Sequence, residues 1–289
     1  MRASEPFTFG IALIPRACAH DWALVEALLV LTLASVRAQT DQDFRVVIAG
    51  HDRPRTRVRD PRVEFLQVDW PVEAPGPHNG DSGRKKRALE DLILARGGGL
   101  LMLLDADDWV DRRIVESARA TLGPDRIGGL IDSGLVADFQ TLRAARIPDA
   151  RVFAQRFHRI CGSSCIGRLK PDASDPLRRN PCRILGSHHQ WVEVARAHGA
   201  DLVRLPVSGS YLVNTSENHS EVHGPHTGWR RRLTGSASRH GRPIDGALAA
   251  RFGLTPEQIR TASARFFAQP RARQRSPEAL RARSGGRRA

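Results

Sequence analysis

A chain of 289 residues, 40% hydrophobic and 26% charged, is long enough to bury a core and too apolar for intrinsic disorder to be its default state. The formal net charge of +14 speaks to partners and solubility and not to fold, and because only three of the 45 basic residues are lysines, the skew toward arginine reads more simply as coding bias than as a binding code. Four cysteines (Cys18, Cys161, Cys165, Cys182) do not make a secreted disulfide framework, and without paired C-x2-C spacing they and His158 point away from a zinc site.

In chain order, residues 9–14 read as a short buried strand stopped by Pro15. Asp21 is the expected N-cap of a helix running to about Gln39. Its residues 22–34 are apolar nearly all round, which predicts a helix sandwiched between other elements, and Glu26 within a run this short argues against a membrane span. No targeting segment is expected, since that run begins behind a strand, so the expected location is cytoplasmic. Residues 44–49 and 63–68 are the next strands, and a helix follows from about Ser82 to Arg96, ended by Gly97-Gly98-Gly99. Strand 100–104 then precedes a helix expected to be capped by Asp111 and closed by Gly123. Alternation of this kind predicts an α/β fold with a mainly parallel central sheet flanked by helices.

Further strands are expected at 127–131, 159–166, 202–205 and 210–213, and Ser187 with Gln190 has capping-box spacing for a helix that Gly199 ends. From residue 224 the composition turns to Gly, Ser and Arg, and residues 270–289 carry seven arginines against one glutamate. A basic helical or disordered C-terminal extension is expected over 224–289.

Chemistry concentrates where Leu100-Leu101-Met102-Leu103-Leu104 meets Asp105-Ala106-Asp107-Asp108. Ligands of an open parallel sheet sit outside the carboxyl ends of its strands, where these carboxylates fall. Their mutual repulsion becomes favourable if a divalent ion neutralises them, and an all-oxygen set suits Mg²⁺ or Mn²⁺ sharing its shell with substrate phosphates. On the alternative reading, Asp108 or Asp111 caps the next helix and the others are solvated. Arg84 and Lys85, in the first turn of the helix before this strand, either reinforce an anion site at its N-terminus or form a solvated basic face.

The stretch from Gly83-Arg84-Lys85-Lys86-Arg87-Ala88-Leu89-Glu90-Asp91-Leu92 through Gly97 to Leu103-Leu104-Asp105-Ala106-Asp107-Asp108 resembles the family 2 glycosyltransferases. Residues 9–15 and 44–48 are similar to the family's first two strands, and 162–167 to its glycine/serine acceptor-side segment; the likeness covers about residues 7–220. It implies a GT-A fold over 1–223, with a nucleotide-binding half to about 123 and an acceptor half over 124–223. It further implies that Asp105 approaches the ribose or sugar and Asp107 the metal, with Asp108 assisting or capping. Pro15 and Arg16 would sit near the base, Ser163 and Ser164 on the acceptor side, and His219 in the metal shell. Asp52 would contact uracil or ribose, although here Ala49-Gly50-His51 intervene before it, where relatives place acidic residues directly after the strand.

Relatives often supply the catalytic base as an acidic residue at the start of a later helix. This chain has His188-His189 there, which a helix N-terminus would keep neutral and basic; Glu193 is less suited. The resemblance thus implies an inverting, Mn²⁺- or Mg²⁺-assisted transferase taking a nucleoside-diphosphate sugar to a glycan or lipid-linked acceptor. A bacterial rhamnosyltransferase subgroup adds deoxythymidine-diphosphate rhamnose to the donors of interest. The arginine-rich end suggests peripheral association with an anionic membrane leaflet. The rival readings are a nucleotidyl or phosphoryl transferase using the same turn, and nucleic-acid binding. For the latter no recognition motif is evident, and aromatics for base stacking are few.

Overall fold

The computed structural model describes residues 4–56 and 59–267. Strand and helix alternate at first: β1 (Phe7–Ala12), α1 (Trp22–Arg37), β2 (Arg45–Gly50), β3 (Val63–Gln67), α2 (Gly80–Ala95), β4 (Gly99–Asp105) and α3 (Ile114–Thr121). The four strands pair in parallel in the order β3-β2-β1-β4. Then follow β5 (Gly128–Asp138), β6 (Arg143–Ile147), β7 (Cys165–Leu169), α4 (Pro176–Arg179), α5 (Pro181–Leu185), α6 (Trp191–Ala197) and β8 (Val203–Val213). β7 lies antiparallel between β4 and β5, β6 is antiparallel to β5, and β8 runs parallel along β5. The protein is therefore α/β, with a mixed central sheet that is parallel through its N-terminal half and flanked by helices. No described helix is long and apolar enough to cross a membrane.

Pleating sends Phe9 and Ile11 of β1 and Leu100, Met102 and Leu104 of β4 against Val25, Leu29 and Leu33 of α1 and Ile114 of α3. Leu101 faces the opposite side, against Leu89 and Ile93 of α2. The sandwiching expected of α1 is observed: its other side (Leu24, Leu28, Leu31) packs on Trp109, Ala249, Phe252 and Ile259. Each such side chain, once out of water, contributes about 1.5–3 kcal/mol. Asp21 caps α1 as expected, accepting from the amides of Ala23 (2.9 Å) and Leu24 (3.2 Å).

Several local expectations are corrected. Residues 159–164 are not strand: a 3-10 turn at Phe157–Arg159 and a loop carry Gly162-Ser163-Ser164 around Asp108 before β7 begins. The strands expected at 202–205 and 210–213 are one, β8, irregular where Pro206 lacks an amide to pair. Asp111 does not cap α3, whose N-cap position is Arg113; its carboxylate accepts from the amides of Arg113 (3.1 Å) and Ser208 (3.3 Å). Ser187 makes no capping box, because its hydroxyl meets His189 Nδ1 at 2.9 Å, and α6 starts only at Trp191, after a 3-10 turn at His188–Gln190.

The segment after residue 224 holds α8 (Thr227–His240), β9 (Arg242–Pro243), α9 (Gly246–Arg251) and α10 (Pro256–Phe267), preceded by α7 (His219–Val222). Leu233 and Ala237 of α8 join the main core and β9 pairs with β6. The arginine-rich stretch 270–289 lies outside the described residues.

Candidate functional site

After β1 the chain builds outward through β2 and β3, then returns to lay β4 on the other side of β1. The connections leaving β1 and β4 at their carboxyl ends therefore diverge and open a crevice, the general location of ligands in such sheets. A cleft of about 300 Å³ lies there, and five of the residues expected from the sequence line it: Pro15 after β1, Asp105 and Asp107 after β4, and His188 and His219 from later segments.

The acidic turn closes with the Asp108 amide donating to the Asp105 carbonyl (3.2 Å). Its carboxylates have different tasks. Asp108 is buried and accepts from the Leu212 amide (2.9 Å), the Ser163 hydroxyl (2.6 Å) and the Cys161 thiol (3.2 Å), which pins the turn to β8 and to the Gly162–Ser164 loop. Burial, and then the charge of Asp105, push its carboxyl up to about 7. Ser163 also accepts from the Asp105 amide (2.9 Å). Asp105 is partly exposed and meets Lys86 Nζ at 3.3 Å. Asp107 lines the cleft; burial first, then the charges of Asp108 and Asp105, raise its carboxyl well above the usual range, with Glu221 adding to the effect.

Such under-neutralised oxygen donors facing a cleft fit a hard divalent cation. Among the described residues no three or more His, Cys, Asp or Glu side chains gather into a metal cage. Asp107 would thus supply part of a shell completed by water and ligand oxygens, the usual arrangement for Mg²⁺. His219 offers a buried Nε2 that has no partner among the described residues, and burial, then His223, lower its pKa and keep the ring neutral. A neutral imidazole suits Mn²⁺.

The pinning by Asp108 yields a stability prediction. Asp108→Ala leaves the Leu212 amide unpaired and should destabilise by about 1–3 kcal/mol. Asp108→Asn keeps an acceptor for that amide. Because the Asp108 carboxyl is raised from its ordinary 3.8, its contribution is fully present below that value and is lost as pH rises through 7. Chemical denaturation in EDTA should therefore find Asp108→Asn gaining on the parent between pH 5 and pH 8; a parallel pH dependence of the two would contradict this.

His188 Nδ1 faces the His158 carbonyl, which can only accept, so Nδ1 carries the hydrogen and Nε2 is the basic nitrogen. Burial pushes His188 down to about 4, and neighbouring Asp105 pulls weakly upward. His158 is itself fixed by Asp132, 2.9 Å from its Nδ1. His189 is held by Ser187 and does not line the cleft, so of the two histidines His188 is the one at the site.

The remaining expected residues do not line the cleft. Lys85 is fully buried, its ammonium held by the Leu13 carbonyl (2.7 Å) and Asp81, and burial lowers its pKa. Lys86, one position on, lines the cleft in its place. Arg84 pairs with Glu73 (2.8 Å) and stacks on Trp70 (4.8 Å). Asp52 accepts from the Arg16 amide (2.8 Å), which sets the chain's course after β1. Ser164 donates to the Cys161 carbonyl (2.7 Å) and is buried.

Sequence reasoning missed Lys86, Glu217 and Arg230. Arg230 lines the cleft, donates to the Ile160 carbonyl (3.0 Å) and stacks on Trp229 (4.8 Å). Its spacing to Leu233 and Ala237, one helical face, is the signal that would have turned it inward. Glu217 accepts from the amides of His20 (3.1 Å) and Asp21 (2.7 Å), and no local pattern announces so distant a contact. Comparison of the chain with protein-family models and with curated proteins gives no match.

Proposed function

We propose that this chain is a glycosyltransferase of GT-A type that moves a sugar, with inversion, from a nucleoside-diphosphate donor to a hydroxyl acceptor on a glycan or lipid-linked glycan. The observation that carries the reading is the acidic turn facing a cleft at the strand-order reversal, with a histidine of fixed tautomer in the same cleft. Asp107, with His219, would hold Mn²⁺ or Mg²⁺, and when bound the ion supplies Lewis-acid stabilisation to the departing diphosphate. Asp105 and Pro15 face the ribose and base, Lys86 and Arg230 bring positive charge to the phosphates, and His188 Nε2 takes the acceptor hydroxyl's proton.

Titration calorimetry with a panel of nucleoside diphosphates, with and without Mn²⁺, tests this directly. One nucleotide should bind in a metal-dependent manner, with deoxythymidine and uridine diphosphates tried first. A folded protein that binds none of them is not this enzyme. Product analysis with the matching nucleotide sugar should find the sugar transferred without its phosphate, which separates this reading from nucleotidyl or phosphoryl transfer.

A further inference from the structure

Val110 bridges Gly209, with Asp107 and Tyr211 in the cleft to one side and Asp111 and Ser208 to the other. On that other side lies a second concavity, of about 450 Å³. It follows from the irregularity in β8: Ile131 pairs with Leu205 and Ser133 with Ser208, so Pro206 and Val207 together oppose Asp132 alone. Bulges of this kind bend a strand and re-aim its side chains.

Three arginines line this concavity, Arg112, Arg113 and Arg251, and all are exposed. Some arginines are neutralised by carboxylates, as Arg62 is by Asp60, Arg119 by Asp41 and Arg168 by Glu5. Among the described residues no ion pair engages these three. The carboxylate present, Asp111, directs both oxygens at backbone amides, leaving three positive charges against one. Arg251 Nη1 donates to Ser208 Oγ (2.6 Å), so the hydroxyl's own hydrogen is free to donate elsewhere. The backbone beneath is tied down, the Arg112 amide donating to the Arg251 carbonyl (3.0 Å) and the Thr40 amide to the Arg112 carbonyl (2.7 Å).

Guanidinium forks match phosphate oxygens two at a time, and a serine hydroxyl adds a further donor. We infer that this concavity is a second anion site, for a phosphate monoester, separate from the cleft and independent of the glycosyltransferase reading. The same chemistry is carried by a soluble phosphate ester and by a phosphatidic-acid headgroup.

The test is a titration of the full chain, in EDTA, with inorganic phosphate, followed by amide NMR. Saturable shifts are expected at Arg113, Ser208 and Arg251, with a Kd at least tenfold weaker in Arg113→Gln/Arg251→Gln. Arg112→Gln/Arg113→Gln serves as a second variant should the first lose its fold by circular dichroism. Absence of saturation, shifts confined to the acidic turn, or equal affinity in a folded variant would overturn the site. Vesicles containing phosphatidic acid or, at equal mole fraction, phosphatidylserine separate the sources. A preference for phosphatidic acid that vanishes in the variant assigns the lipid headgroup. Saturable phosphate binding without that preference assigns a soluble ester.

Discussion

Asp107→Asn should weaken metal-dependent nucleotide binding by more than about 100-fold while raising the melting temperature of the metal-free protein. Loss of a residue that merely orients a metal ligand already costs about 10–100-fold, so removing an anionic ligand should cost more. The gain in stability has an independent origin. Burial and the charges of Asp108 and Asp105 raise the Asp107 carboxyl above its ordinary value, so its contribution to stability is present at low pH and lost as pH rises through its folded value. The ionised form opposes folding increasingly as pH rises, and an amide, which never ionises, is spared that cost; each kcal/mol relieved is worth about 2–4 °C. Asp105→Asn, at a partly exposed carboxylate already paired with Lys86, should change the melting temperature less. Scanning calorimetry in EDTA and titration with Mn²⁺ read the two effects separately. Unchanged metal-dependent affinity, or a lower melting temperature, would make Asp107 a structural residue and remove the central support for the proposed function.

The two expected effects oppose each other because the turn combines a group that holds it in place with groups that the cleft leaves open. That division was only half legible in the sequence. The apolar run of β4 meeting three carboxylates located the turn, and the Asp21 cap and the all-round apolarity of α1 located its support. Which carboxylate does what depends on donors from far along the chain, Leu212, Ser163 and Cys161, which no local pattern couples to Asp108. Lys85 and Lys86 look equivalent as neighbours, yet about 100° of helical rotation separates them. Lys85 shares the buried face of Leu89 and Ile93, a spacing that could have been read; the Leu13 carbonyl that receives it could not. The bulge in β8 hid in the same way, because Pro206 and a polar Ser208 break the apolar pattern of what is a single strand. Arg230 is hidden in the sequence because an arginine run suppresses the apolar signal of α8, although Leu233 and Ala237 are sufficient to orient it.

The proposed general base is His188 Nε2. His188→Gln should lower kcat by about 10²–10⁴-fold, the usual contribution of a positioned general base, with nucleotide affinity unchanged. Glutamine has no basic nitrogen, so it removes the chemistry, and its amide still carries a donor on that side chain. In the free protein burial holds His188 near 4, neutral and able to accept a proton at physiological pH, but weakly basic for the task. Negative charge nearby favours the imidazolium, as Asp105 already does, and a bound diphosphate would add to it. With Asp107 held ionised by saturating metal, the acid limb of kcat/KM, which reports the unliganded site, should therefore fall near pH 4, and that of kcat, which reports the complex, at a higher pH. His189→Gln, outside the cleft, should leave both limbs and the turnover in place. Glu193, the other candidate in the sequence, is paired with Arg159 and does not line the cleft. Full turnover in His188→Gln would consequently move the proton to a carboxylate that does line it, and the two acid limbs, measured in that variant, would then be unaltered.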